Sequence, residues 1–165
     1  MKKTAVFAGT FDPFTIGHHD IVARASRFFD ELYIGVAVGA GGGKSSRRSA
    51  DERVEIARLS VADVANARVT AFESFLVDFA KRVGASAIVR GLRNFKDLEY
   101  ERALTEVYRS QNPDLEILYL ISSHNYAHVS STIVRELALL GGKLDGYVCG
   151  AASGLIKELY SKRGI

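Results

Sequence analysis

Short apolar runs alternate along this chain with stretches whose apolar residues recur at helical spacing, and that alternation limits the possible folds more than any other feature. The runs Thr4–Ala8, Leu32–Val38, Arg68–Phe72, Ser86–Val89 and Glu116–Ile121 predict strands. Several are nearly continuous in apolar residues, as strands covered on both faces must be. Between them, Ile21, Val22, Ala25, Phe28 and Phe29 form one helical stripe, and Val54, Ala57, Val61 and Val64 form another. The second is preceded by Ser49-Ala50-Asp51-Glu52, a capping residue followed by acids that suit a helix start. Phe75, Leu76, Phe79, Ala80 and Val83 make a third stripe. Leu98–Ser110 predicts a further helix, stopped by Asn112-Pro113, and Leu155, Ile156, Leu159 and Tyr160 mark a terminal one.

Strands alternating with helices imply a parallel α/β sheet covered by helices on both faces. We expect a Rossmann-like five-stranded sheet in the order 3-2-1-4-5, formed by a single domain over residues 1–165. In that order the first and fourth strands are neighbours. Ligands of such sheets sit outside the carboxyl ends of the strands, where the strand order switches. The candidate chemical residues Thr10 and Arg90 follow those two strands.

Composition narrows the function classes. The chain has 165 residues, 47% hydrophobic and 25% charged, enough for one domain with a sizeable core. No apolar run approaches a membrane span and the N-terminus lacks a signal-peptide pattern, so we expect no membrane partner. A lone Cys149 rules out an internal disulfide framework and suits a reducing compartment, the cytoplasm; it reads as a packing thiol. No His and Cys residues have zinc-ligand spacing. The net charge of +3 is mild, and the basic clusters Lys44-Arg47-Arg48 and Arg90-Arg93-Lys96 lack interleaved aromatics. Both facts argue against nucleic acid and suit a small anionic substrate.

Three motifs carry the chemistry. In Gly9-Thr10-Phe11-Asp12-Pro13-Phe14-Thr15-Ile16-Gly17-His18, a strand runs through a loop into a helix bearing His18 in its first turn. A helix start offers free amides and positive dipole charge to a phosphate, and an imidazole there can donate to a phosphoryl oxygen. His19 beside it points elsewhere and reads as a surface residue. In Val89-Arg90-Gly91-Leu92-Arg93, an arginine at a strand end can grip phosphate in its fork, and Gly91 admits backbone amides to an anion. Asp97 and Glu99 downstream read best as helix-start or solvated acids, with Asp97 alternatively holding an arginine. In Tyr126-Ala127-His128-Val129-Ser130-Ser131-Thr132-Ile133-Val134-Arg135, hydroxyls precede an apolar helix. N-capping accounts for one of them; a phosphate cradle accounts for all three. The segment Gly39-Ala40-Gly41-Gly42-Gly43-Lys44 fails the P-loop spacing and reads as a mobile loop whose Lys44 can reach a phosphate.

These motifs resemble the T/HxGH nucleotidylyltransferases, and the strings GTFDP…TxGH, VRGLR…DxEYE and SSTxVR resemble the phosphopantetheine adenylyltransferase family. Thr15 stands where many superfamily members have His, Val129 replaces a common Ile, and the loop ending in Lys44 is Gly-rich where the family has a Ser-Pro-x-Lys type segment. The resemblance implies transfer of AMP from ATP to 4′-phosphopantetheine by direct attack of the acceptor phosphate, with Mg²⁺ carried by ATP. It implies catalytic roles for Thr10, His18, Lys44 and Arg93, and acceptor contacts from Thr10, Lys44, Leu76 and Arg90. The implied ATP site takes in Thr10, Phe11, His18, Gly91, Leu92, Arg93, Glu101 and the run Tyr126, Ala127, His128, Val129, Ser130, Ser131 and Thr132, with Tyr126 either bordering the adenine or serving as a core or rim residue. A hexamer and feedback by coenzyme A are further expectations from the resemblance. Other acceptors, such as nicotinamide mononucleotide or glycerol phosphate, and a non-catalytic nucleotide sensor are the alternatives.

Overall fold

The computed structural model describes residues 2–39 and 46–161. Its centre is a five-stranded, all-parallel sheet in the order β3-β2-β1-β4-β5. The strands are β1 (Thr4–Gly9), β2 (Glu31–Ala37), β3 (Ala67–Phe72), β4 (Ala87–Leu92) and β5 (Glu116–Ile121). The helices are α1 (Ile16–Ala25), α2 (Ala50–Ser60), α3 (Leu76–Arg82), α4 (Phe95–Gln111), α5 (Ser131–Leu140) and α6 (Gly150–Tyr160), with a 3₁₀ turn at His124–Tyr126.

The two-residue period of a strand divides the core. From β1, Ala5 and Phe7 face a cluster shared with Ile21 and Val22 of α1, Ile56 of α2, Val134 of α5 and Ile156 of α6. Val6 and Ala8 face the opposite side, against Val77 and Phe79 of α3 and Tyr108 of α4. Helices therefore cover both faces, as expected from the nearly unbroken apolar strands. Gly35 in β2 makes room for the second cluster. A Cβ there would lie 2.7 Å from Phe79 Cε1 and 3.0 Å from Phe72 Cε1, inside the stack those two rings form at 4.5 Å.

The sequence expectations need three corrections of extent. α1 stops at Ala25, where the Ser26 amide and hydroxyl turn back to Val22 and Ala23 carbonyls; Phe28 lies beyond it and is 69% exposed. α4 begins at Phe95 because Asn94 caps it through the Asp97 amide. β4 continues past Val89, since Arg90, Gly91 and Leu92 pair in register with Tyr119, Leu120 and Ile121 of β5. Pairing of β4 with β1 ends at Phe7↔Val89, so Arg90 stands where the two strands diverge.

Candidate active site

A cleft of about 440 Å³ opens beyond the carboxyl ends of β1 and β4, where the strand order switches. The β1–α1 loop forms its floor and is held from several directions. The Asp12 carboxylate accepts from the Tyr160 hydroxyl of α6 at 2.5 Å and from the Arg47 amide at 2.8 Å. The Asp12 carbonyl accepts from Arg135 Nη1 at 2.5 Å, and the Pro13 carbonyl from the Ser131 hydroxyl at 2.8 Å. The Ile16 amide donates to the Tyr147 carbonyl at 2.9 Å. The carboxyl-terminal helices thus fix a loop that is remote from them in sequence.

His18 sits at the third position of α1 and completes a capping box usually closed by Glu or Gln. Thr15 Oγ1 accepts from the His18 amide, and His18 Nδ1 accepts from the Thr15 amide at 2.9 Å. An Nδ1 that accepts carries no proton, so the neutral ring bears its hydrogen on Nε2. Phe7, Phe11 and Phe14 surround the imidazole with ring centroids 5.0 to 6.3 Å away. Burial, helped by the nearby Arg93 charge, lowers the His18 pKa to about 4. His18 is therefore a neutral donor at physiological pH. Its neighbour His19 is not simply a surface residue, as its Nε2 lies 3.0 Å from each Asp63 carboxylate oxygen with the side chain only 20% exposed.

Arg90 reaches back across the end of β1, donating from Nη1 to the Ala8 carbonyl at 2.9 Å. Its Nε and Nη2 meet both Glu101 oxygens, at 2.8 and 2.5 Å. Glu101 of α4, placed by resemblance against the nucleotide, is here buried and paired with Arg90. Burial alone would loosen the Arg90 proton, but Glu101's hydrogen bonds and charge outweigh it and hold the cation firmly. Arg93 is more open at 43% side-chain exposure. Asp97 accepts from its amide at 2.9 Å and from its Nε at 3.2 Å, the arginine-holding alternative of the sequence reading. Burial pushes the Asp97 carboxyl up, yet these bonds bring it below the usual range.

On the opposite wall, Ser130 caps α5 by accepting from the Ile133 amide at 3.2 Å, and Thr132 Oγ1 accepts from Arg135 Nη2 at 3.1 Å. The three hydroxyls have distinct structural partners, and Ser130, Ser131 and Thr132 line the cleft at the start of α5. Tyr126 lies over Gly17; a Cβ on that glycine would sit 3.8 Å from Tyr126 Cβ, an ordinary contact.

The cleft brings together Thr10, Phe11, His18, Arg90, Gly91, Arg93, Glu101, Tyr126, Val129, Ser130, Ser131 and Thr132. Leu76 is not there. It begins α3 and is buried with Phe72 and Phe79 on the far face of the sheet. Leu92 is a buried strand residue, and Ala127 and His128 are exposed outside the lining, His128 packing edge-on against Tyr147. Lys44 and the Ala40–Gly43 part of its loop lie outside the described residues. Cys149 is half-buried and free, and burial raises its thiol to about 11, as fits a packing role.

The sequence reading gave no role to several residues that build the site. Asp20 of α1 accepts from the Ser123 hydroxyl at 2.7 Å and from Arg24 at 3.0 Å, while Arg24 also donates to the Ile121 carbonyl at 2.8 Å. Together they tie the segment bearing Tyr126 to α1. Asp12, Arg53, Arg135 and Tyr160 are the others. Asp12 and Arg135 stand in the quoted motifs and Tyr160 in the terminal stripe, but the long-range partners of these residues, of Asp20 and of Arg53 are announced by no local spacing.

A cationic, amide-rich cleft at the switch point of a parallel sheet, with a histidine donor at a helix start, defines a nucleotide-phosphate transferase. The cytidylyltransferase-like family matches residues 6–137. The phosphopantetheine adenylyltransferase of Thermomicrobium roseum is 44% identical over 149 residues, covering 90% of this chain and 89% of its own. That of Ralstonia pickettii is 44% identical over 158 residues, covering 96% and 93%. A candidate nicotinate-nucleotide adenylyltransferase of Vibrio parahaemolyticus shares the fold, with a TM-score of 0.74 at 17% identity over 98% of this chain and 99% of its own. Within the cytidylyltransferase-like proteins, this chain belongs to the phosphopantetheine adenylyltransferase family.

Proposed function

We propose that the chain transfers AMP from ATP to 4′-phosphopantetheine, yielding dephospho-coenzyme A and pyrophosphate, a step of coenzyme A synthesis, within one domain over residues 1–165. The observation that carries this reading is the neutral Nε2–H donor of His18 at the α1 N-terminus, facing Arg90, Arg93 and the α5 N-terminus across one cleft. An oxygen of the acceptor phosphate attacks the α-phosphorus in line, and the bond to the β-phosphate oxygen breaks, releasing pyrophosphate. The acceptor is already an anion, so no protein nucleophile and no covalent intermediate are needed. The protein contributes position and charge.

Thr10 and His18 stabilise the α-phosphoryl oxygens as negative charge builds on them. Phe11 and the Gly91–Leu92 backbone border the nucleotide, Leu92 supplying main chain since its side chain is buried. Arg93 and the hydroxyls and amides at Ser130 to Thr132 hold the leaving pyrophosphate, and Tyr126 borders the adenine. The acceptor phosphate is oriented by Lys44 and by the Arg90 N–H groups that Glu101 leaves open.

Among the described residues, the three carboxylates lining the cleft are engaged, Asp12 by Tyr160, Asp97 by Arg93 and Glu101 by Arg90. That donor set fits a metal brought on ATP and held by phosphate oxygens and water. When bound, Mg²⁺ neutralises charge on the leaving pyrophosphate. Among the described residues no helix is long and apolar enough to cross a membrane, and we place the enzyme in the cytoplasm. We further propose a homo-oligomer, a hexamer by family likeness. Phe95 at 74%, Tyr100 at 66% and Val107 at 46% exposure on α4, with Ile121 at 73% on the edge strand β5, support burial against other copies. Coenzyme A, which contains the pantetheine and adenylate parts of the product, would occupy the same cleft as a feedback ligand.

The test measures pyrophosphate release from ATP and Mg²⁺ with 4′-phosphopantetheine, nicotinamide mononucleotide and glycerol 3-phosphate as parallel acceptors. Release with 4′-phosphopantetheine alone is expected. Release only with another acceptor would overturn the substrate, and silence with all three would overturn the reaction.

A further inference from the structure

Arg53 lies in the first turns of α2 and is 2% exposed. Its Nη1 donates to the Thr10 carbonyl at 2.6 Å and the Ala37 carbonyl at 2.9 Å, and its Nε to the Arg48 carbonyl at 3.2 Å. Those acceptors belong to three separate segments at the cleft end of the sheet: the loop after β1, the end of β2 and the approach to α2. Among the described residues no carboxylate pairs with this guanidinium. A buried cation served only by neutral carbonyls is an expensive way to join backbone segments, because its desolvation is not offset by an opposite charge.

The direction of the grip suggests what it accomplishes. In a trans peptide the C=O of one residue and the N–H of the next point opposite ways. Holding the Thr10 carbonyl toward α2 therefore turns the Phe11 amide away from α2. Phe11 has φ 49°, a left-handed conformation uncommon outside glycine, and both Thr10 and Phe11 line the cleft. Among the described residues the Phe11 amide has no acceptor. A strained residue with an unpaired amide, beside a carbonyl held by a buried cation, is the arrangement expected of a preset anion donor.

We propose that Arg53 is a positioning residue for AMP transfer: its grip on the Thr10 carbonyl presets the Thr10–Phe11 peptide so that the Phe11 amide meets phosphoryl oxygen in the transition state. The proposal rests on the adenylyl-transfer reading. Arg53→Met removes both fork and charge, whereas Arg53→Lys keeps the charge but offers a point donor that cannot reproduce the fork.

The experiment determines kcat and KM for ATP and 4′-phosphopantetheine in wild type and both variants by pyrophosphate release, per ATP-binding site counted by titration. Arg53→Met is expected to lose roughly 100-fold in kcat, the scale of a misplaced catalytic group. KM for ATP should change less than about threefold, the signature of an interaction made in the transition state. Arg53→Lys should fall between. A merely structural role would lower the number of competent sites and leave kcat per site unchanged; that result would overturn the proposal, as would failure of both variants to fold. A wild type silent with every acceptor would remove the adenylyl-transfer reading and this proposal with it. An active wild type matched by Arg53→Met would remove the proposal alone.

Discussion

Burial of the His18 imidazole, with the Arg93 charge beside it, makes stability depend on pH in a specific direction. The folded protein keeps His18 neutral to about pH 4, against 6.5 for the free side chain. Between those values the unfolded chain binds a proton that the folded one refuses. Stability from this residue is therefore intact above pH 6.5 and declines as pH falls toward 4. At 1.36 kcal/mol per pH unit, the full interval corresponds to about 3 kcal/mol. One edge of the half-buried imidazole faces the open cleft, where solvent screens the charge, so the realised loss is about 1–3 kcal/mol. The perturbation is His18→Asn, whose side-chain oxygen can still accept from the Thr15 amide but does not titrate. Urea denaturation of both proteins at intervals from pH 4.5 to 7.5 gives the difference directly. The wild type should lose stability relative to the variant as pH falls. Parallel stability curves across the window would refute the neutral, Nδ1-accepting histidine.

Two further substitutions probe how the cleft is built. Gly17 has only ordinary contacts for an added Cβ, so Gly17→Ala should fold as well as wild type or better by up to about 1 kcal/mol. The methyl would narrow the phosphate approach beside Tyr126, and pyrophosphate release should fall at least ~10-fold; unchanged turnover would show that ligand does not need the space. Tyr160→Phe removes the hydroxyl that donates to buried Asp12, and urea denaturation should report a loss of about 1–3 kcal/mol. Stability equal to wild type would mean that α6 does not anchor the β1–α1 loop.

Much of the architecture was legible because it rests on short-range pattern. Strand composition and intervening stripes gave a parallel sheet, and the order 3-2-1-4-5 put Thr10 and Arg90 at one switch point. Local chemistry also placed His18 and Ser130 at helix starts. Extents were harder to read. Phe28 continues the α1 stripe in sequence, but the Ser26 turn ends the helix first, and β4 runs past Val89 only because β5 supplies a partner. Asp12, Arg135 and Tyr160 stood in the motifs and the terminal stripe, but their roles, like those of Arg53 and Asp20, rest on contacts that exist only after the sheet has formed. Tyr160 and Asp12 are 148 residues apart in the chain, and nothing near either predicts the bond. Glu101 shows the complementary limit. Its motif marked it as functional, while its immediate partner, Arg90, became visible only when α4 packed on β4.

The central claim is that His18 serves as a neutral hydrogen-bond donor to phosphoryl oxygen during AMP transfer. The most direct test is kcat for pyrophosphate release by His18→Asn beside its ATP dissociation constant, since that change preserves the cap acceptor and deletes the Nε2 donor. The account predicts a fall of roughly 100- to 1,000-fold in kcat, with ATP affinity close to wild type. Wild-type turnover in the variant would contradict it.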